Sequence, residues 1–75
     1  MVVCTSKKCY KSYDVVDILT KIKNENPFSA ELSLDEWLND VKYRVAKAYG
    51  VIINVRNYNI TLKQLDDLNI IKIIQ

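Results

Sequence analysis

Hydrophobic residues in the first third of the chain recur with the spacing of an amphipathic helix. Asp14 stands at the expected N-cap, and Asp17 adds a second acid near the positive end of the helix. Pro27 prevents the helix from continuing, so the pattern predicts a first helix from Asp14 to about Asn24. The apolar face of this helix consists of Val15, Ile18, Leu19 and Ile22.

A second helical pattern begins and ends at recognisable capping residues. Ser33 and Glu36 have the spacing of a capping box, in which each side chain accepts a hydrogen bond from a backbone N–H of the other. Gly50, the single glycine, stands where a left-handed C-cap is needed. The pattern predicts a helix over residues 34–49 with Trp37 in the core. Its apolar stripe consists of Leu34, Trp37, Leu38, Val41, Val45 and Ala48.

Thr61 and Gln64 repeat the capping-box spacing and predict a third helix over residues 62–68. Asn69 is suited to a left-handed C-cap. We expect a hydrophobic staple at each helix start, and an inward-turned Phe28 and Leu32 in the loop before the second helix. The predicted staple pairs are Tyr13 with Ile18, Leu32 with Trp37 and Ile60 with Leu65.

Two β-branched segments near the C-terminus, Val51–Val55 and Ile70–Ile74, predict strands. Residues 2–5 are compatible with an edge strand. The last segment is apolar on both faces, so we expect it to be central in the sheet or to pair with another chain, with Lys72 as a guard against such pairing.

These elements predict an α+β fold. We expect three helices packed mainly on one face of a small two- or three-stranded sheet, in the order (β)-α-α-β-α-β. A chain of 75 residues forms at most one domain, so residues 1–75 are expected to be a single domain, with residues 1–13 as a basic and partly flexible lead. The last connection suits a parallel crossover, and antiparallel pairing stays open.

The two cysteines, Cys4 and Cys9, predict neither a disulfide framework nor a metal site. Zinc usually takes four ligands and the chain has no histidine, while redox pairs more often follow the C-x-x-C pattern. We therefore expect reduced thiols with a structural role or none, and a cytoplasmic location. No apolar run approaches the roughly 20 residues of a membrane span, so no membrane partner is expected.

The composition disfavours catalysis and cofactor binding. Without histidine, the commonest general base is missing. The adjacent acids Asp35–Glu36 and Asp66–Asp67 diverge by about 100° on a helix and suit solvated faces. One glycine, used as a helix stop, cannot build a phosphate-binding backbone loop. We expect no enzyme activity, no catalytic residue, no cofactor and no metal.

Charge is distributed in blocks along the chain. Residues 1–13 carry three lysines and no acid, residues 14–40 carry seven acids and two lysines, and residues 41–56 carry four cations and no acid. A two-sided charge pattern can steer a partner, although helix-dipole matching and a solvated lead also produce such blocks. The candidate residues for binding a nucleic acid or another partner are Lys7, Lys8, Tyr10, Lys11, Lys42, Lys47, Arg56 and Tyr58.

The leading functional hypothesis is a small non-enzymatic protein-binding module that acts as an inhibitor, adaptor or accessory factor. The size and a residue usage typical of AT-rich genomes suit a phage or mobile element. Another protein is the expected partner, and homodimerisation through residues 70–74 is a variant of this hypothesis. The alternative is a small nucleic-acid-binding regulator that uses the basic and aromatic N-terminal segment.

Overall fold

The computed structural model describes residues 1–74 and contains four helices and a three-stranded antiparallel sheet. The predicted α+β class is confirmed, with the helix count one higher than expected. Two strands come first, four helices follow, and the last strand closes the sheet. The elements are β1 (Val2–Cys4), β2 (Cys9–Lys11), α1 (Val15–Lys23), α2 (Pro27–Ala30), α3 (Leu34–Tyr49), α4 (Tyr58–Asp67) and β3 (Lys72–Ile73).

The sheet has the order β2-β1-β3, so the N-terminal strand is central and not an edge. Val3 pairs with Tyr10 on one side and Ile73 on the other, and these three side chains face the helices. Alternate residues on a strand point to opposite faces, so Cys4, Cys9 and Lys11 lie on the outer face. The helices therefore cover one face of the sheet only.

Cys4 and Cys9 are joined by a disulfide, so the expectation of reduced thiols is wrong. The hairpin register places the two residues directly opposite each other. The next pair, Thr5 and Lys8, is hydrogen-bonded through the Thr5 N–H at 2.9 Å. Cysteines 4 and 9 are thus a non-hydrogen-bonded pair, in which the Cα atoms of facing strands come closest.

The helix boundaries predicted from capping residues are confirmed for α1 and α3. Asp14 caps α1 by accepting a hydrogen bond from the Val16 N–H at 3.0 Å. Ser33 and Glu36 form both bonds of the capping box, and the backbone hydrogen bond from Ser33 lowers the pKa of Glu36. Gly50 ends α3 with a left-handed φ of 69°.

Residues 51–55 are not a strand, contrary to the prediction. The side chain of Ile53 is buried in the core, while the backbone of Asn54 is bonded to α4. Its N–H donates to Gln64 Oε1 at 2.7 Å, and its carbonyl accepts the Thr61 hydroxyl proton. Side chains of α4 satisfy the backbone groups that a neighbouring strand would have bonded.

The start of α4 differs from the prediction because Asn57, not Thr61, is its N-cap. Thr61 lies one turn inside the helix and is fully buried against the carbonyl of Asn54. The predicted C-terminal stop is confirmed in that Asn69 has a left-handed φ of 60°. The Ile70 N–H bonds the Leu65 carbonyl at 3.0 Å, which completes a Schellman motif.

The predicted loop between the first two long helices contains the short helix α2. Asn26 caps it, and Pro27 occupies a first-turn position where its missing N–H costs nothing. The α1 residue Lys23 is only 6% exposed, and its ammonium donates to the Ala30 carbonyl at 2.9 Å and to Asn24 Oδ1 at 3.0 Å. A buried lysine thus holds the end of α2.

The core contains Trp37 as predicted, at 8% exposure. The prediction that Phe28 and Tyr13 turn inward is wrong. Phe28 is 87% exposed on α2, and Tyr13 is 95% exposed and forms no staple with Ile18. Ile60 is also exposed, because α4 begins earlier than predicted. The buried core consists of Val3, Ile18, Leu19, Trp37, Leu38, Val45, Ile53, Leu62, Leu65 and Ile71.

None of the helices within residues 1–74 combines the length and the apolar character that a membrane crossing requires.

Candidate functional site

The sequence-predicted binding residues lie in two separate places. Lys7, Lys8, Tyr10 and Lys11 lie on the β1–β2 hairpin, and we call them the hairpin cluster. A groove of about 760 Å³ lies between α3 and the chain that enters α4, and we call it the α3–α4 groove. The groove is lined by Asp35, Asn39, Lys42, Ile53, Asn54, Val55, Arg56 and Tyr58.

The turn of the hairpin is fixed by the Thr5 side chain. Its hydroxyl oxygen accepts hydrogen bonds from the N–H groups of Lys7 and Lys8, at 3.2 and 3.4 Å. The hydroxyl proton is donated to Glu25 Oε2 at 2.6 Å. The turn is therefore bonded to the loop that follows α1, and together with the disulfide this holds the two turn lysines at a defined position.

Tyr10 attaches the hairpin to the same carboxylate. Its hydroxyl donates to Glu25 Oε2 at 2.7 Å. Burial, followed by the hydrogen bond to Glu25 and its negative charge, raises the pKa of Tyr10 to about 12. The Lys8 ammonium lies 5.3 Å from the centroid of the Tyr10 ring. Tyr10 thus has a structural role that the sequence pattern did not predict.

The outer edge of β2 is open. The hydrogen-bonded pairs of the hairpin include Ser12 with Met1 and Thr5 with Lys8, and such pairs alternate along an antiparallel ladder. The N–H and C=O groups of Cys9 and Lys11 consequently point away from β1. Within residues 1–74 no hydrogen-bond partner meets these groups, which face solvent beside three lysines.

At the opposite edge of the sheet, the outward N–H of β3 has a partner within the chain. The Ile74 N–H bonds the Val2 carbonyl at 2.8 Å within the sheet. The Ile73 N–H points outward, and there it donates to Asp66 Oδ1 at 3.0 Å. Asp66 therefore occupies the outward amide of this strand, and the role of Lys72 as a guard against pairing stays a prediction.

The α3 wall of the α3–α4 groove is a polar stripe. Asp35, Asn39 and Lys42 have i, i+4, i+7 spacing, so they lie along one face of the helix. At one end of the groove the Tyr58 hydroxyl donates to Asp35 Oδ1 at 2.6 Å. This hydrogen bond, followed by burial, raises the pKa of Tyr58. The contact ties the start of α4 to the start of α3.

The opposite wall is held rigid by Asn54. Its side-chain Oδ1 accepts the N–H of Arg56 at 2.8 Å and that of Asn57 at 3.2 Å. Its own backbone is bonded to Gln64 and Thr61, as described above. The segment that carries Arg56 is therefore fixed at both the main chain and the side chain, although it is neither helix nor strand.

Lys47 belongs to neither place. It lies five residues after Lys42 on α3, which separates the two side chains by about 140° around the helix axis. Its ammonium lies 4.9 Å from the centroid of the Tyr43 ring. The predicted group of Lys42, Lys47, Arg56 and Tyr58 is thus brought together only in part.

Tyr13, close in sequence to the hairpin cluster, was predicted to pack inward as a staple residue. It is almost fully exposed, two residues after Lys11. No sequence signal distinguished it from a staple residue, because a hydrophobic side chain before an N-cap suits both roles.

Within residues 1–74, no three His, Cys, Asp or Glu side chains form a group that could hold a metal ion. Comparison with known proteins finds no matching family model, no matching curated protein and no matching solved structure.

Proposed function

We propose that this chain is a small non-enzymatic protein-binding module that accepts an acidic, extended segment of a partner protein beside β2. The open edge of that strand is the observation that supports this function. A peptide that adds to a sheet edge gains affinity from main-chain hydrogen bonds and specificity from the flanking side chains. Cys9 and Lys11 offer two outward N–H and two outward C=O groups for this pairing.

Charge determines which segment fits. Lys7, Lys8 and Lys11 flank the open edge, and no salt bridge involves them within residues 1–74. Lysines on an edge strand also discourage pairing with neutral or basic strands. The same side chains attract a strand that carries Asp or Glu, so the charge that protects the edge from general aggregation selects an acidic partner.

A second copy of this chain fits the β2 edge poorly, because it would bring two sets of lysines together. Residues 70–74 also offer little for dimerisation, since the amides of Ile70, Ile73 and Ile74 already have partners within the chain. Sedimentation equilibrium at high concentration tests this, and a dimer that persists in Ile74→Lys but dissociates in Lys11→Pro would place self-association at β2.

The test of the proposed function is selection from a random 12-residue peptide library, as a binding peptide needs no more than the length of an ordinary strand. We expect enrichment of acidic, β-branched peptides. Lys11→Pro removes one outward N–H without touching the β1 ladder, and it should abolish binding. The control is Lys63→Ala, which removes a lysine charge from the helix α4 and leaves β2 intact. Peptides without acidic residues, or peptides insensitive to Lys11→Pro, contradict the proposal.

The disulfide also supports a proposal for the compartment. Disulfides persist in oxidising environments and are rare in the cytosol, so the Cys4–Cys9 bond favours an oxidising location over the expected cytoplasm. Alkylation of thiols in protein isolated from its natural source under acid quench measures the oxidised fraction. A fully alkylated protein would restore the cytoplasmic prediction.

Nucleic-acid binding is the second candidate, and the exposure of Tyr13 favours it. An exposed aromatic ring close in sequence to three lysines suits base stacking combined with phosphate neutralisation. Mobility shifts with mixed single- and double-stranded nucleic acid at about 50 and 200 mM salt test it. Tyr13→Ala should weaken a salt-sensitive shift, whereas Phe28→Ala, which removes an exposed aromatic ring from α2, should not. No shift at the lower salt rejects this candidate.

A further inference from the structure

The α3–α4 groove contains two cations that lack acidic partners. The two salt bridges recorded within residues 1–74 join Lys21 to Asp17 and Arg44 to Asp40, so neither Lys42 nor Arg56 is neutralised by an ion pair. Both side chains line the same groove from opposite walls. Two unpaired cations facing one concave space create a local positive potential that attracts an anion.

Neutral donors add to this potential. The Asn54 side chain uses its oxygen to accept two backbone N–H groups, so its amide NH₂ keeps its two protons for other acceptors, and Asn54 is part of the groove lining. The ten-residue helix α4 also begins at Tyr58 in the groove wall, and the start of a helix carries partial positive charge. The Asn54 amide and the start of α4 thus add neutral donors to the two cations of the groove.

The one acid in the groove is Asp35. One of its carboxylate oxygens accepts the Tyr58 hydroxyl proton at 2.6 Å, and this bond holds the acid at the end of the groove. The formal charge of the groove is +2 from Lys42 and Arg56 and −1 from Asp35, which leaves +1. Asp35 thus weakens anion binding without cancelling it.

We infer that the α3–α4 groove binds a small molecule that carries a terminal phosphate group. A terminal phosphate ester bears nearly two negative charges and three acceptor oxygens, which matches two cations and neighbouring amide donors. A volume of about 760 Å³ is in the range of pockets for small organic ligands. The hydrogen bonds of Asn54 fix the main chain from which the exposed Arg56 side chain extends. This inference does not rest on the proposed function, because the groove and the β2 edge involve different residues.

The chemistry of this site differs from that of a glycine-rich phosphate loop. Such loops bind the anion mainly through backbone N–H groups, which requires several glycines. Here the donors are a lysine, an arginine and an asparagine side chain, so the single glycine of the sequence is no obstacle.

The test is titration of the ¹⁵N-labelled full chain with inorganic phosphate, AMP and adenosine, followed by amide chemical shifts. We expect AMP and phosphate to shift the amides of residues 54–57, with AMP binding more tightly, and adenosine to shift none at the same millimolar concentrations. Lys42→Ala and Arg56→Ala should each weaken AMP binding about tenfold, as expected for lost charge-assisted hydrogen bonds. Asp35→Asn keeps an acceptor for Tyr58, removes a repulsive charge and should tighten binding about threefold.

Lys47→Ala is the matched control, because it removes the same charge from the same helix outside the groove. It should leave AMP binding unchanged, and dispersed spectra of each variant verify that it is folded. Equal weakening by Lys47→Ala, equal shifts from adenosine, or no shift at tens of millimolar phosphate and AMP would overturn the inference. Shifts that follow inorganic phosphate but not AMP would also overturn it, because the inferred ligand carries its phosphate on an organic group, whereas tighter binding of AMP supports the inference.

Discussion

The Tyr10 hydroxyl and the Glu25 carboxylate are joined by a hydrogen bond of 2.7 Å, which links the N-terminal hairpin to the end of α1. The same carboxylate oxygen accepts the Thr5 hydroxyl proton at 2.6 Å. One acid therefore fixes both the turn and the second strand of the hairpin. The residues expected to form a partly flexible lead are β-structure bonded to the helical layer.

Tyr10 should be the last tyrosine to lose its proton as the pH rises. Its pKa is raised from 10.0 to about 12, so its contribution to stability is complete below pH 10 and is lost as the pH rises toward 12. Ultraviolet absorbance of tyrosinate should show a late component that disappears in Tyr10→Phe. In Glu25→Gln that component should move to lower pH, because the negative charge beside the phenol is gone. A late component that survives Tyr10→Phe would refute the assignment.

Tyr10→Phe should also lower the free energy of unfolding by about 1 kcal/mol, because it removes one hydrogen bond and leaves the carboxylate with one partner fewer. The control is Tyr13→Phe, which deletes the same hydroxyl from a side chain that is exposed and should change stability little. Urea unfolding of both variants measures the difference. Equal stability of the two variants would mean that the Glu25 bond contributes nothing measurable.

The sequence predicted helix ends best where a single side chain decides the conformation. Asp14, the Ser33–Glu36 pair and Gly50 act on backbone groups within a few residues, so their roles are visible in the sequence alone. The same local reasoning predicted the wrong start for α4, because Asn57 and Thr61 both suit an N-cap. The choice depended on Asn54, whose carbonyl is bonded by the buried Thr61 hydroxyl.

Features that join distant segments were not predictable in this way. Residues 51–55 have the composition of a strand, but the Asn54 N–H donates to Gln64 of α4 and not to a neighbouring strand. The Cys4–Cys9 bond depends on the hairpin register, and five-residue spacing alone does not establish that register. Lys42, Arg56 and Tyr58 were predicted as candidates from charge and residue type, and only the tertiary fold shows that they share a groove without Lys47.

Removal of the disulfide should destabilise the protein by about 2 kcal/mol, because the bond closes a short loop with a sequence separation of 5. The double variant Cys4→Ser/Cys9→Ser should show this loss in urea unfolding. A reducing agent should produce a similar loss in the natural protein and none in the double variant. If the natural protein and the double variant unfold at the same urea concentration, the bond does not stabilise the fold.

Gly50→Ala should cost about 1 kcal/mol, because Gly50 has a left-handed φ of 69° that a Cβ disfavours. No atom lies within 4 Å of an added Cβ, so the cost is in the backbone alone and not in a steric clash. Gly50→Asn should cost less, since asparagine tolerates this conformation better than alanine. Thermal unfolding ranks the three proteins, and a more stable Gly50→Ala would show that the turn relaxes without penalty.

Lys23→Met should be more harmful than its charge alone suggests. Methionine replaces the buried aliphatic stem of Lys23, but the carbonyl of Ala30 then loses the donor that holds α2 in place. Ala30 is itself exposed, so water offsets part of this loss, and we expect a cost of about 1 kcal/mol for the lost hydrogen bond. Lys21→Met is the matched control on the same helix, because Lys21 forms an exposed pair with Asp17 worth roughly 0.3–0.5 kcal/mol. Urea unfolding should place Lys23→Met below Lys21→Met in stability, and the reverse order would show that water replaces the ammonium without loss.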